Sequence, residues 1–370
     1  MNNHINDAVL LLEDGHIFRG KSFGKKGTVV GNISFNAGVT GYQEVMTDPS
    51  NKGQLLIMSA SHIGNYGVQE ADLESKDVQI KGLIAKQIAS KFSRMTAKIS
   101  MKEYLEDQEM VAIENIDTRA LISHLRDSKK NMKGIISSED KSIEELKKLI
   151  ENYSEEDLYK DTEYKAEEEY FYGIENSKYR IAVIDYGLKR GILDALATRD
   201  AYLKVFNPNK TNLEAIQDFK AQGVLLSNGP GNPENMDAKL KLIEEIKSSG
   251  LPIFGIGLGF QLLAKSYNIP ITSLDFASRG ANHPVIHLDT KKCEITAQNH
   301  SYKICADTLE EHPDLLATHR NLNDDMIVGF KHKNQAIFGV VYHPESKPGT
   351  HDSQYLFDDF LKNIEAHSKS

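Results

Sequence analysis

The sequence predicts an α/β protein in two parts, an N-terminal α+β domain followed by a domain built on a mainly parallel sheet covered on both faces. Three observations carry this expectation. At 370 residues the chain is long enough for two domains, each with its own core. The first 150 residues mix short β-rich runs with helical stretches and show no regular alternation. From residue 179 onward, continuous apolar strands alternate with helical segments, the pattern of βα units whose strands are buried on both sides.

The elements follow in order. Ala8-Val9-Leu10-Leu11-Leu12 is an apolar run closed by Asp14-Gly15, a hairpin signal leading into His16-Ile17-Phe18-Arg19. Gln54-Leu55-Leu56-Ile57-Met58 reads as a further strand, and Met101–Glu106 and Thr118–Arg126 read as helices. Residues 151–178 turn acidic and tyrosine-rich, with Glu155-Glu156-Asp157 and Glu167-Glu168-Glu169. They read as a connector, either a solvated linker with a short helix or a docking surface for a basic partner. The second domain, 179–370, opens with the strand Ile181-Ala182-Val183-Ile184, a glycine turn at Gly187 and a helix from about Lys189 to Thr198. Strands at Gly223–Leu226 and Pro252–Ile256 then alternate with helices near Met236–Ser249 and Phe260–Tyr267.

Composition excludes several classes. The net charge of −9 and the lack of a dense Lys/Arg run speak against a nucleic-acid partner, whose phosphates require clustered cations. Cys293 and Cys305 are too few for a disulfide framework and lack metal-ligand spacing, so a reducing cytoplasm is expected and no metal site is read from them. Met1–Asp7 has neither a basic nor an apolar leader region, and no run of apolar residues reaches membrane-span length, so no membrane association is expected. Gly15-His16-Ile17-Phe18-Arg19-Gly20-Lys21-Ser22 matches the phosphate-loop pattern letter for letter. The glycines of Phe23-Gly24-Lys25-Lys26-Gly27 break the helix turn that a phosphate cradle needs directly after the Lys-Ser pair, so a hairpin is expected there instead.

Three separated features point to chemistry. Leu226-Ser227-Asn228-Gly229-Pro230-Gly231-Asn232-Pro233 follows a strand and can present backbone N–H groups to an oxyanion, though singly it is an ordinary turn. Gly255-Ile256-Gly257-Leu258-Gly259-Phe260-Gln261 has the strand, sharp turn and helix start of a nucleophile elbow, with no side chain at its centre. Tyr342-His343-Pro344-Glu345, after the strand Ile337–Val341, supplies a histidine and a carboxylate in the arrangement of a base and its orienting partner.

In this order the features resemble the class I, triad-type glutamine amidotransferases. Ala281-Asn282-His283-Pro284-Val285, Ile295-Thr296-Ala297-Gln298-Asn299-His300 and His343-Pro344-Glu345-Ser346-Lys347-Pro348-Gly349 are similar to motifs of one family, the small subunits of carbamoyl phosphate synthetase. The N-terminal half agrees independently. Phe35-Asn36-Ala37-Gly38-Val39-Thr40-Gly41-Tyr42-Gln43-Glu44, Thr47-Asp48-Pro49-Ser50, Ile63-Gly64-Asn65-Tyr66-Gly67 and Ile116-Asp117-Thr118-Arg119-Ala120-Leu121 look like that family's own N-terminal domain, here residues 1–150.

The resemblance implies a cysteine thiolate at the elbow, completed by a histidine and a glutamate, that releases ammonia from glutamine. The ammonia passes through a tunnel to a large subunit. That partner holds ATP and Mg and makes carbamoyl phosphate for arginine and pyrimidine synthesis, so no cofactor is expected on this chain. Carried over residue by residue, His343 and Glu345 take the base and orienting positions and Gly257 takes the nucleophile's, where the cysteine is missing. The implied glutamine contacts fall on Gly38, Gly229, Gly231, Leu258, Gln261, Asn299, Ser301 and Tyr302. The family usually has serine at Gly38, histidine at Phe260, glycine at Ser301 and phenylalanine at Tyr302. The joint departures at Gly38, Phe260 and Gly257 favour natural loss over a single designed knockout. Three readings follow: a subunit that assembles with its large partner and runs on free ammonia, a non-enzymatic pseudo-amidotransferase that binds a ligand or serves as a scaffold, or slow hydrolysis by a water that His343 activates.

Overall fold

The computed structural model describes residues 7–128, 131–166 and 168–369. The first six residues, read above for a leader, and Glu167 of the acidic run lie outside the described residues. The chain divides into two compact units, Met1–Glu163 and Tyr164–Ser370. No helix among the described residues is long and apolar enough to cross a membrane.

The first unit is organised by strands β1 (Asp7–Leu12), β2 (Ile17–Gly24), β3 (Thr28–Asn36), β4 (Leu55–Met58), β5 (Gly82–Ile84), β6 (Val111–Glu114) and β7 (Lys133–Ser137). They close into a barrel in the order β1-β2-β6-β5-β4-β3-β7, and the antiparallel pairing of Leu10 with Ile136 joins its ends. Closure removes the exposed edges that an open sheet would leave for foreign pairing. The predicted hairpin forms at Asp14-Gly15: Gly15 takes φ 93°, and its N–H donates to the Leu12 carbonyl oxygen at 2.9 Å. Gly20, Lys21 and Ser22 lie inside β2, where Lys21 faces Glu114 of β6, so the segment matching a phosphate-loop pattern is extended strand.

Among the described residues, the helices α1 (Tyr42–Thr47), α2 (Met101–Asp107), α3 (Thr118–Ser128), α4 (Ile143–Glu151) and α5 (Glu155–Thr162) accompany this barrel. Helices α2, α4 and α5 each start with a reciprocal capping box, Ser100 with Glu103, Ser142 with Glu145 and Ser154 with Asp157, which satisfies otherwise unpaired N–H groups. Ile143, Leu146 and Ile150 recur at helical spacing, and this face packs on Leu11 and Ile135. The acidic stretch 151–178 is shared out between the units. Its helix α5 belongs to the first, where Asp161 pairs with Lys81, and its strand β8 (Tyr170–Tyr172) joins the sheet of the second.

In the second unit β8 is followed by β9 (Tyr179–Ile184), β10 (Ala201–Phe206), β11 (Gly223–Leu226), β12 (Ile253–Ile256), β13 (Ile271–His287), β14 (Cys293–Ile304), β15 (Leu315–Asn321), β16 (Ile327–His332) and β17 (Ile337–Val340). The sheet order is β14-β13-β15-β16-β17-β12-β11-β9-β10-β8. The centre, β17 through β10, is parallel, as the βα alternation predicts. Consecutive residues of β11 and β12 are all buried, so both faces of these strands are covered. The cover comes from α6 (Arg190–Ala197), α7 (Leu213–Asp218), α8 (Leu240–Ser248), α9 (Leu258–Lys265) and α11 (Tyr355–His367), whose apolar residues share one core with the strands; the short α10 (Ala306–Glu310) follows β14.

The sheet as a whole is mixed, because β8 and the β13–β16 flank pair antiparallel. The long strands β13 and β14 are half exposed, and their register shifts between Ser273 and Ser278 and between Gly280 and His283. Such bulges break the period-2 pattern by which a strand is read from sequence.

Helix α9 sits close against β11, and Gly259 makes that possible: a Cβ there would lie 2.2 Å from the Leu226 carbonyl oxygen. The Gly259 N–H also donates to the Ser227 carbonyl oxygen at 2.9 Å. Gly259→Ala is therefore expected to destabilise the protein by about 1–3 kcal/mol, the usual cost of overpacking. Urea unfolding of the full chain measures it, and a loss within error of zero would show that α9 can back away freely.

Candidate active site

The carboxyl ends of the parallel strands converge on one set of residues, as open α/β sheets arrange their sites. Strand β12 ends at Ile256, and Gly257 turns the chain directly into α9 with φ 58° and ψ −114°. A side chain strains this backbone, whereas glycine adopts it freely. The Gly257 N–H donates to the Val340 carbonyl oxygen at 3.0 Å, and its carbonyl accepts from the Gln261 N–H at 3.1 Å. These bonds hold the turn against β17 on one side and α9 on the other. A Cβ at this position would stand 3.1 Å from Asn228 Cβ and 3.9 Å from the Val341 carbonyl oxygen. A side chain thus fits if Asn228 gives by a few tenths of an ångström.

After β17, His343 and Glu345 are both buried, and His343 Nδ1 lies 2.9 Å from Glu345 Oε1. With Nδ1–H donating to the carboxylate, Nε2 is left as the basic nitrogen. Sequence reasoning missed the third member of this group. Lys189, at the mouth of α6, places Nζ 2.7 Å from Glu345 Oε1, with side chains only 3% and 0% exposed. Lys189 Nζ also donates to the Lys347 carbonyl oxygen, and its backbone N–H donates to Asn228 Oδ1 at 3.1 Å. Burial pushes the Glu345 carboxyl up, but the Lys189 ammonium and His343 beside it outweigh burial and hold it well below the usual carboxylate range. No local signal set Lys189 apart in the sequence, because Arg190 and Asp194 follow it in the same segment and its partner Glu345 is far away in the chain.

The remaining sequence-predicted positions of this unit gather around the same turn. Gly229 presses against the turn after β9, since a Cβ would lie 2.0 Å from the Tyr186 carbonyl oxygen and 3.1 Å from Leu258 Cδ2. Gly231 takes φ 100°. Gln261, one turn into α9, donates from Nε2 to the Tyr302 carbonyl oxygen at 3.0 Å. Asn299 Oδ1 and Ser301 Oγ both accept from Arg279, at 2.8 and 3.2 Å, a guanidinium the sequence did not single out. The His343 N–H donates to the Ala297 carbonyl oxygen at 2.9 Å, which ties this strand to the histidine. Nearby His300 is buried, and that burial pushes it down to about 4, so it is neutral at physiological pH. Gly38 belongs to the first unit, where its N–H donates to Asn36 Oδ1 at 2.7 Å. Cys293 opens β14 and Cys305 precedes α10, so neither stands at the elbow.

A sharp strand-to-helix turn beside a buried His-x-Glu pair defines a class I glutamine amidotransferase domain, and the model of that family, "Glutamine amidotransferase class-I", matches residues 182–363. The "Carbamoyl-phosphate synthase small chain, CPSase domain" family matches residues 10–136. The chain is 42% identical over 369 residues to the carbamoyl phosphate synthase small chain of Aquifex aeolicus, covering 96% of this chain and 98% of the relative. It is 39% identical to that of a Synechococcus species, over 96% of this chain and 92% of the relative, and 38% identical to that of Clostridium perfringens, over 96% and 99%. The chain belongs to the carbamoyl phosphate synthase small chain family.

Removing the cation from the buried pair leaves Glu345 uncompensated. Lys189→Met is expected to cost about 3–5 kcal/mol at neutral pH. Because the folded Glu345 pKa is lowered, its contribution is present above the ordinary carboxylate pKa and is lost as pH falls toward the folded value. In the variant, burial without the ammonium raises that pKa, so protonation relieves the unpaired charge. The stability gap between the two proteins should therefore narrow as pH falls through the carboxylate range; a gap that stays constant in urea titrations at each pH would refute the ionic account.

Proposed function

We propose that this chain is the amidotransferase-type subunit of a carbamoyl phosphate synthase whose large subunit takes its ammonia from solution, because glutamine hydrolysis by a thiol is lost. The observation that carries this reading is Gly257 at the centre of the elbow. Breaking the glutamine amide by covalent catalysis requires a side-chain nucleophile to attack the carbonyl carbon while a base takes its proton. His343 and Glu345 supply the base and its orienting carboxylate, but the elbow offers no atom for the base to deprotonate. Losing such a nucleophile costs on the order of a millionfold in turnover even with its partners in place.

Glycine also relieves the strain that any side chain would meet at φ 58°, of order 1–3 kcal/mol, so a stable fold is compatible with loss of the chemistry. Both units of the family are present in the chain, which supports a retained role in assembly with the large subunit, the partner that holds ATP and Mg. In this role the small chain acts as a scaffold and as a cap on the ammonia route, in the cytoplasm.

A second reading, a ligand-binding pseudo-amidotransferase, is favoured by the polar groups that remain ordered around the elbow: Gln261 held by Tyr302, and Asn299 and Ser301 held by Arg279. Calorimetric titration with glutamine tests it, and a flat trace at millimolar ligand removes it.

With the large subunit added, carbamoyl phosphate should form from ammonium salts and not measurably from glutamine; equal rates from both would overturn the ammonia reading. Gly257→Cys is expected to raise glutamine hydrolysis by several orders of magnitude in the assembled complex, measured as ammonia release. Failure of that rescue would mean that other departures, such as Ser301 or Phe260, have also disabled the pocket.

A further inference from the structure

Away from the elbow, the first unit brings together three side chains that neither the amidotransferase chemistry nor the barrel requires. Asp14 stands in the β1–β2 turn, His16 directly precedes β2 two residues later, and His124 comes from α3, 110 residues away in sequence. His124 Nε2 lies 2.6 Å from Asp14 Oδ2, and His16 Nδ1 lies 3.1 Å from the same oxygen. The ring centroids of the two histidines are only 3.9 Å apart. One carboxylate oxygen and two imidazole nitrogens thus face a common point, all within 4.8 Å of one another.

We propose that Asp14, His16 and His124 bind a divalent transition-metal ion of the Zn²⁺ class. Metal–nitrogen and metal–oxygen bonds of about 2.0–2.2 Å place tetrahedral ligand atoms about 3.4 Å apart. The His16 contact, at 3.1 Å, already lies near that separation; the His124 contact, at 2.6 Å, opens to it and the gap between the two ring nitrogens adjusts by turning partly exposed side chains, His16 being 58% exposed and His124 27%. Imidazole with a single carboxylate suits Zn²⁺, Co²⁺ or Ni²⁺, whereas Ca²⁺ and Mg²⁺ prefer all-oxygen shells. The carboxylate is already oriented, since Asp14 Oδ1 accepts the His16 backbone N–H at 3.0 Å. On binding, neutral His16 and His124 carry their protons on the outward nitrogens, Nε2 and Nδ1, and offer the inward lone pairs to the ion. Three protein ligands leave a further position for water. The bound ion pins helix α3 to the β1–β2 hairpin, reinforcing a contact between segments 110 residues apart.

No motif marks this site, because its ligands come from two distant segments without metal-binding spacing. The test uses the full chain, stripped with a chelator and titrated with Zn²⁺ by calorimetry and with Co²⁺ by visible absorption. One equivalent should bind, and Zn²⁺ should raise the melting temperature by mass action. His16→Gln, His124→Ala and Asp14→Asn should each weaken binding at least about tenfold and abolish the thermal shift. His16 is exposed enough that its variant folds normally, which keeps the test decisive if another variant is unstable. Lack of binding at about 100 µM Zn²⁺, or binding that is unchanged in His16→Gln and His124→Ala, would overturn the proposal.

Discussion

The buried contact between Lys189 and Glu345 is the constraint on which the second unit's candidate site depends. Both side chains are removed from water, and neither charge is tolerable alone in that environment. The pair therefore fixes the turn after β9 to the turn after β17, and through Glu345 it sets the orientation of His343. Asn228, which accepts the Lys189 N–H, brings in the loop after β11, and that loop in turn lines the space above Gly257. The ends of β9, β11 and β17 are thus registered by one desolvated ion pair and its hydrogen bonds.

Against that rigid frame, the elbow is held by backbone alone. Gly257 is bonded through its N–H to β17 and through its carbonyl to α9, so the turn keeps its shape without a side chain. Gly259 lets α9 approach β11 to a distance that a methyl group would forbid. Packing of glycines and strands thus secures the shape of the turn without a side chain at its centre.

The first unit depends on closure. Pairing of β1 with β7 turns a strand set of mixed direction into a barrel, and the capped helices α2 and α4 lie against it. The same hairpin that starts the barrel carries Asp14 and His16 at its turn, so a local β-turn preference positions polar side chains beside α3. Local geometry and long-range packing meet at that turn.

Much of this was legible in the residues. The Asp14-Gly15 hairpin, the apolar strands β9, β11 and β12 and the elbow are signalled by short-range preferences, because turn chemistry and burial on both faces leave continuous marks in a few adjacent residues. His343 and Glu345 were legible for the same reason, lying two residues apart after a strand. The antiparallel flank, the closure of the barrel, the pairing of Lys189 with Glu345 and the meeting of His124 with Asp14 were decided by the tertiary structure. Each joins groups far apart in the chain, through bulged or half-exposed strands without clean alternation, or through charges whose partners only folding brings within reach. By itself the sequence determined the Asp14-Gly15 turn, the strands β9, β11 and β12 and that position 257 carries no side chain, because these rest on adjacent residues; the fold decided which charges share a buried site and how that bare turn is held, because those contacts join distant segments.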